Sequence, residues 1–141
     1  MNFGGNNMTV PLNVAGNVSF AGNLTASNTV GGNIALQGNW VNDGAAAINF
    51  TPNSRIVTFN GSTLQSITGT NTSINPFAQL TVNNPAGITL TALDVEVQNG
   101  LNLQNGIFDL NNKKLTLGTI GNNGTLTGGS ATSYLISGTT T

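Results

Sequence analysis

The sequence predicts an all-β fold, a parallel β-solenoid (β-helix), from three observations. Apolar and small residues hold one parity over a long run, Gly-Asn doublets punctuate that run, and a ten-residue segment returns within the chain. From Leu12 the even positions read Leu12, Val14, Gly16, Val18, Phe20, Gly22, Leu24 and Ala26, then Val30, Gly32, Ile34, Leu36, Gly38 and Trp40. Period two marks a strand with one buried face. At about 3.3 Å per residue, a straight strand of that length would far exceed the roughly 3 to 10 residues that are usual, so the chain must bend. The doublets Gly16-Asn17, Gly22-Asn23, Gly32-Asn33 and Gly38-Asn39 supply the bends, because both residue types tolerate positive φ and glycine leaves no side chain to crowd a corner. VAGNVSFAGN returns sixteen positions later as VGGNIALQGN. A strand, a corner and a strand cannot bury an apolar face alone, so copies must stack.

The later elements follow the same logic. RIVTFNG (55–61) and QLTVNN (79–84) read as strands with Val57, Phe59, Leu80 and Val82 on one face, and Asn84-Pro85-Ala86-Gly87 reads as a turn before Ile88. The apolar parity then shifts: Leu80, Val82, Ile88 and Leu90 are even, Leu93, Val95, Val97, Leu101, Leu103 and Ile107 odd, Leu110 even, Leu115 and Leu117 odd. Each shift would turn the apolar face outward unless the chain also turned a corner. Asn99-Gly100 and Asn105-Gly106 repeat the six-residue spacing of the first doublets. No window shows a capped 3.6-residue pattern, and AAAI (45–48) is too short for a helix. The competing fold is an antiparallel β-sandwich, since Asn-Gly also marks two-residue hairpins. Its strands would be longer and less regularly spaced.

The 141 residues suit one domain, read as an N-terminal extension or capping strand over 1–11, a repeat domain over 12–136 and a tail or link to further sequence over 137–141. The two ends, 1–8 and 137–141, are the segments expected to lack order. Charged residues make up only 5% of the chain: Asp43, Arg55, Asp94, Glu96, Asp109, Lys113 and Lys114. A polar, uncharged surface suits stacked strands, because like charges repel across rungs whereas Thr and Asn hydrogen-bond along them. With a net charge of −1, the chain lacks the basic patch that nucleic acid or an anionic membrane requires. No stretch approaches the roughly 20 apolar residues of a membrane helix. The opening MNFGGNNMTV lacks the basic and apolar regions of a secretory signal, so the chain reads as a mature segment or a piece of a longer protein.

Few residues carry chemistry. With no His and no Cys, histidine-based nucleophilic catalysis, disulfides and the usual zinc and copper sites are unavailable. Asp94 and Glu96 are the only acidic pair, two apart in ALDVEV and so on one strand face. Their backbones lie about 7 Å apart, a spacing compatible with glycoside hydrolysis; an exposed acidic spot that discourages aggregation is the plainer reading, and it also covers Lys113-Lys114. Trp40, Phe20, Phe50, Phe59 and Phe77 would make either a sugar-stacking platform or a core; the parity of Phe20 and Trp40 favours the core, leaving Tyr134 as the exposed aromatic. Thr89-Leu90-Thr91 and Thr125-Leu126-Thr127 would present flat threonine rows of the kind that order water at ice, or plain outward strand positions. Gly4-Gly5, Gly31-Gly32 and Gly128-Gly129 lack the context of a phosphate loop. The N-x-[ST] triplets at Asn7, Asn17, Asn23, Asn49, Asn60, Asn71 and Asn123 are what this composition produces by chance.

VTFNGSTLQSITG (57–69), LTVNNPAGITL (80–90) and LNLQNGIFDLNNKKLTLG (101–118), with GNWVNDG (38–44) as a strand-to-corner element, resemble the repeats of large secreted and surface adhesin-like proteins of the Bacteroidota. The likeness spans most of residues 12–118. It implies a right-handed β-helix stalk exported by the type IX route, and it brings no catalytic residues. The expectation is therefore a non-enzymatic structural segment of an extracellular or cell-surface fibre or adhesin. It would have no catalytic, cofactor or metal residues and would partner with further repeats, with copies of itself end to end, or with surface glycans. A polysaccharide- or ice-binding module is the alternative, and a polysaccharide-cleaving β-helix using Asp94 and Glu96 the third reading.

Overall fold

The computed structural model describes residues 8–28, 31–45 and 50–138. Their elements are all strands. The first coil carries β1 (Leu12–Val14), β2 (Val18–Phe20) and β3 (Leu24–Thr25), and the second β4 (Ile34–Leu36), β5 (Trp40–Asn42) and β6 (Phe50–Thr51). Then follow β7 (Ile56–Phe59), β8 (Gln65–Thr68), β9 (Asn75–Asn83), β10 (Ile88–Leu90), β11 (Val95–Asn105), β12 (Phe108–Asp109), β13 (Leu115–Leu117), β14 (Thr125–Gly128) and β15 (Leu135–Ile136). Every paired strand is parallel to its neighbour. That excludes the sandwich, whose neighbours run in opposite directions.

The coil has three faces. One sheet runs β1-β4-β7-β9-β11 and continues to β13 and β14, a second runs β2-β5-β8-β10-β12-β15, and β3 pairs β6 on the third. The third face continues as the opening residues of β9 and β11, where Asn75 and Phe77 pair with Val95 and Val97, which pair in turn with Leu115 and Leu117 of β13. β9 and β11 are long because each runs from the third face into the first with no tight turn. A register shift between Val97 and Gly100 absorbs the corner. This bulge explains why Val97 and Leu101 share odd parity and both face inward.

The alternate aliphatic residues stack in columns inside the coil. Leu12, Ile34, Val57, Leu80, Leu101 and Leu126 are successive register partners, so one winding takes between 21 and 25 residues and rises about 4.8 Å. Ile34, Val57, Leu80 and Leu101 are buried, as are Leu36, Phe59, Val82 and Leu103 in the adjacent column. Each such side chain stabilises the fold by roughly 1.5–3 kcal/mol through removal from water. Trp40 sits at the centre of an aromatic cluster, with Phe20 at 5.5 Å, Phe50 at 4.8 Å and Phe77 at 5.2 Å between ring centroids. The five aromatics weighed as a platform are thus core, with Phe20 half-buried at the N-terminal end. Tyr134 is exposed, as its position suggested.

The structure sets one point that the sequence leaves open, the length of a winding, and corrects two expectations. The sixteen-residue self-similarity is not the coil: Leu12 pairs with Ile34 and Val18 with Trp40, each 22 residues on. Sixteen residues relate β2 to β4, two strands on different faces that each follow a Gly-Asn corner, so corners of the first two windings reuse the same local sequence. The doublets also do not turn through positive φ. That conformation is found at Asn53, Ser54, Asn111 and Asn112 and at glycines such as Gly69, Gly87 and Gly106, but not at Gly16, Gly22, Gly32 or Gly38. Glycine is required at Gly38 for close approach, since a Cβ there would lie 2.4 Å from the Gly16 carbonyl carbon. Phe108, not Ile107, points inward and is fully buried, because the turn at Gly106 shifts parity one residue earlier than the aliphatic pattern implied. Phe108 then stacks between Ile88 and Leu135.

The turn at 84–87 forms as expected, with the Gly87 N–H donating to the Asn84 carbonyl at 2.8 Å. The helix-poor AAAI run lies partly outside the described residues, as do most of the two ends expected to lack order.

Candidate functional site

At its corners the coil is stitched by side chains. The Asn17 Oδ1 accepts the Asn39 N–H at 2.7 Å, the Asn39 Oδ1 accepts the Ser66 N–H at 2.9 Å, and the Asn33 Oδ1 accepts the Ile56 N–H at 3.0 Å. Asp43 receives the Thr70 N–H and Asp94 the Lys114 N–H in the same way. Where the chain bends, the ladder loses a carbonyl acceptor, and a short Asn or Asp side chain restores it one winding away. This is why Asn follows Gly at the doublets.

Polar side chains also enter the interior. Gln65 accepts the Gly61 N–H at 2.9 Å and donates to the carbonyls of Leu36 and Gly38, while the Asn84 Nδ2 donates to Gln65 Oε1 at 2.9 Å and to the Thr63 carbonyl at 2.7 Å. The Asn42 Nδ2 donates to Asn75 Oδ1 at 3.0 Å. These contacts tie neighbouring windings together and help fix the register, although the buried Asn75 Nδ2 finds no partner. Sequence reasoning missed them, although their parity carried the signal: Asn42 shares it with Trp40, Gln65 with Ile67 and Asn75 with Phe77.

Asp94 and Glu96 are not brought together over a cleft. Asp94 is exposed, tied to the Lys114 N–H at 2.9 Å, and lines a shallow groove of about 330 Å³ with the 69–74 corner and Leu93. Glu96 is half-buried on the sheet face, in register with Pro76 and Thr116, and accepts a hydrogen bond from Gln98 Nε2 at 3.0 Å. Paired hydrolytic carboxylates must flank one bond, and only one of these lines the groove. Among the described residues no three His, Cys, Asp or Glu side chains form a metal-binding group, and no helix is long and apolar enough to cross a membrane.

The outward threonines do not build a regular array. On the first sheet the outward column reads Asn13, Ala35, Thr58, Thr81, Asn102 and Thr127, and the next reads Ile56, Gln79, Gly100 and Thr125. Only β14 carries threonine in both. On the second sheet Thr89 stands between Ser66 and Asp109. Of the triplet asparagines, Asn17 holds a corner and Asn71 is buried, while Asn7 and Asn49 lie outside the described residues.

Among the described residues, the first and last windings leave apolar side chains partly uncovered. The N-terminal end opens into an apolar hollow of about 400 Å³ lined by Leu12, Val14, Val18, Phe20, Leu24 and Ile34. In the last winding Leu126, whose register partner Leu101 is buried, is 53% exposed on β14, and Leu115, Leu117 and Leu135 are half-buried. Compared with protein-family models, curated proteins and solved structures, the chain matches none of them, so the fold is what the functional reading stands on.

Proposed function

We propose that the chain is a structural segment of an extracellular bacterial β-solenoid fibre or adhesin, serving as a rigid stalk or display surface. The observation that carries the reading is the unbroken parallel ladder from β1 to β14, with interior columns and side-chain-stitched corners in nearly every winding. Such a ladder resists bending, because tilting one winding against the next breaks backbone bonds on three faces at once. Length is set by the number of windings, and the outward Thr, Asn and Ser positions give a polar coat that does not depend on charge.

The resemblance of 57–69, 80–90 and 101–118 to Bacteroidota surface repeats supports the extracellular placement. Antibody labelling of intact cells of the source organism tests it: surface staining that disappears on protease treatment of whole cells is expected, and signal only after lysis would overturn it. The rod itself is tested by small-angle X-ray scattering, which should return one cross-sectional radius along the particle. The mixed outward columns give no observation that favours the ice or polysaccharide reading over this one.

A further inference from the structure

We propose that Asn123 is a site of spontaneous covalent modification, the first of the chain's Asn-Gly pairs to close on itself and become aspartate and isoaspartate. The inference stands apart from the rod reading. The sequence holds four such pairs: Asn60-Gly61, Asn99-Gly100, Asn105-Gly106 and Asn123-Gly124. Asparagine is a thermally labile residue, and a following glycine has no side chain to hinder its own backbone nitrogen from reaching the carboxamide carbon. At Asn123 the Gly124 nitrogen bonds to Cγ, the Cγ–Nδ2 bond breaks, and ammonia departs carrying the proton of the Gly124 amide, which leaves a succinimide ring. Water then adds to either ring carbonyl and opens the ring. One opening gives aspartate; the other gives isoaspartate, whose backbone is longer by a methylene. Water is the only co-reactant.

The fold guards three of the four pairs. Asn60 is exposed, but the Gly61 N–H donates to Gln65 Oε1 at 2.9 Å, so the attacking nitrogen is held by a buried acceptor. Asn99 lies inside β11, where its Oδ1 accepts from Asn122 Nδ2 at 2.7 Å and Gly100 stands in register between Gln79 and Thr125; strands on both sides keep that backbone extended. Asn105 ends β11 with its carbonyl accepting the Asn84 N–H at 3.1 Å, and Gly106 is buried at a φ of 84° against the Asn84 carbonyl, which pins the peptide between them. Asn123 differs on every count. It is exposed and outside the strands, and neither its carboxamide nor the Gly124 N–H makes a hydrogen bond among the described residues. It follows a turn that closes on itself, with the Thr119 N–H donating to the Asn122 carbonyl at 2.8 Å and the Asn122 N–H to the Thr119 carbonyl at 3.0 Å, and Ile120 at the tip is fully exposed. A Cβ at Gly124 would strike the Gly118 nitrogen and the Leu117 side chain. Packing thus demands the glycine while nothing restrains the asparagine before it. The new carboxylate falls in a stretch, 115–141, that holds no charged side chain.

Ageing the folded full chain in mildly alkaline buffer tests this. Trypsin, cutting after Arg55, Lys113 and Lys114, then places Asn123 on peptide 115–141 and the other three pairs on 56–113. Fragmentation in the mass spectrometer locates each conversion, enzymatic carboxyl methylation counts the isoaspartate, and isoelectric focusing of the intact chain reads the added negative charge. Asn123 should convert at least about fivefold faster than Asn60, Asn99 or Asn105, the factor that one protecting hydrogen bond imposes. In denaturant, where no ladder guards the others, the four rates should draw together. Asn123→Gln, whose longer side chain closes a ring far more slowly, should leave 115–141 unconverted and the unfolding midpoint unchanged. Native conversion of Asn60, Asn99 or Asn105 as fast as that of Asn123, conversion of 115–141 at Asn122 instead, or an undiminished charge shift in Asn123→Gln would each overturn the site. A ranking that persists unchanged in denaturant would also overturn it, by assigning the rates to local sequence instead of to the fold.

Discussion

Removing the Phe77 ring should be among the most damaging single changes in the chain. Phe77 is fully buried and lies 5.2 Å from Trp40 and 5.9 Å from Phe50 between ring centroids. Three faces pinned by continuous ladders leave little room for the walls to close over the vacated space. Phe77→Ala should therefore fall in the upper part of the roughly 3–5 kcal/mol seen for such truncations, with about 0.5–1.5 kcal/mol of it from each lost ring contact. Phe20 is the internal control, because it is half-buried at the open end and meets Trp40 alone, at 5.5 Å. Its truncation should cost about half as much. The assay is denaturant unfolding followed by both far-ultraviolet circular dichroism and the emission of Trp40, which is the only tryptophan and so reports the cluster directly. A cost for Phe77→Ala below about 1.5 kcal/mol, or one no greater than that of Phe20→Ala, would refute the packed aromatic interior.

Other outcomes follow from the corners. Asn39→Ala strands the Ser66 N–H and should cost about 1–2 kcal/mol, whereas Asn39→Asp keeps an acceptor and should cost clearly less, read as midpoint shifts in urea. Gly38→Ala forces a methyl into the Gly16 backbone and should cost about 1–3 kcal/mol; Gly16→Ala should leave the unfolding midpoint of the monomer within about 0.5 kcal/mol of wild type. Asp94→Asn preserves an oxygen for the Lys114 N–H, so its stability should stay within about 0.5 kcal/mol, while Asp94→Ala should lose about 1 kcal/mol.

The parity of the aliphatic residues made the coil legible before any coordinates, because between corners each strand sends alternate residues into a narrow interior. Val57, Phe59, Leu80 and Val82 face inward as the pattern required. The period of the coil was harder to read. In the first two windings corners on different faces use the same Gly-Asn chemistry, so the sequence there resembles itself from face to face as strongly as from winding to winding, and only the pairing of Leu12 with Ile34 separates the two. Phe108 was hidden because one positive-φ glycine, Gly106, moves the inward position by a residue. The buried Gln65, Asn42, Asn75 and Asn84 look like surface residues by type, and the side chains they pair with, Gln65 with Asn84 and Asn42 with Asn75, lie 19 and 33 residues apart, beyond any local pattern. Asp94 and Glu96 looked like a pair because spacing along a strand says nothing about what stands over it. Each is occupied by a separate hydrogen bond.

The parallel winding itself is most directly tested by interstrand nuclear Overhauser contacts on labelled protein. The account predicts that Thr58 shows backbone contacts to Ala35 on one side and Thr81 on the other, and that Thr81 in turn reaches Asn102. Contacts that pair β1 antiparallel with β2, and Thr58 with neither Ala35 nor Thr81, would contradict it.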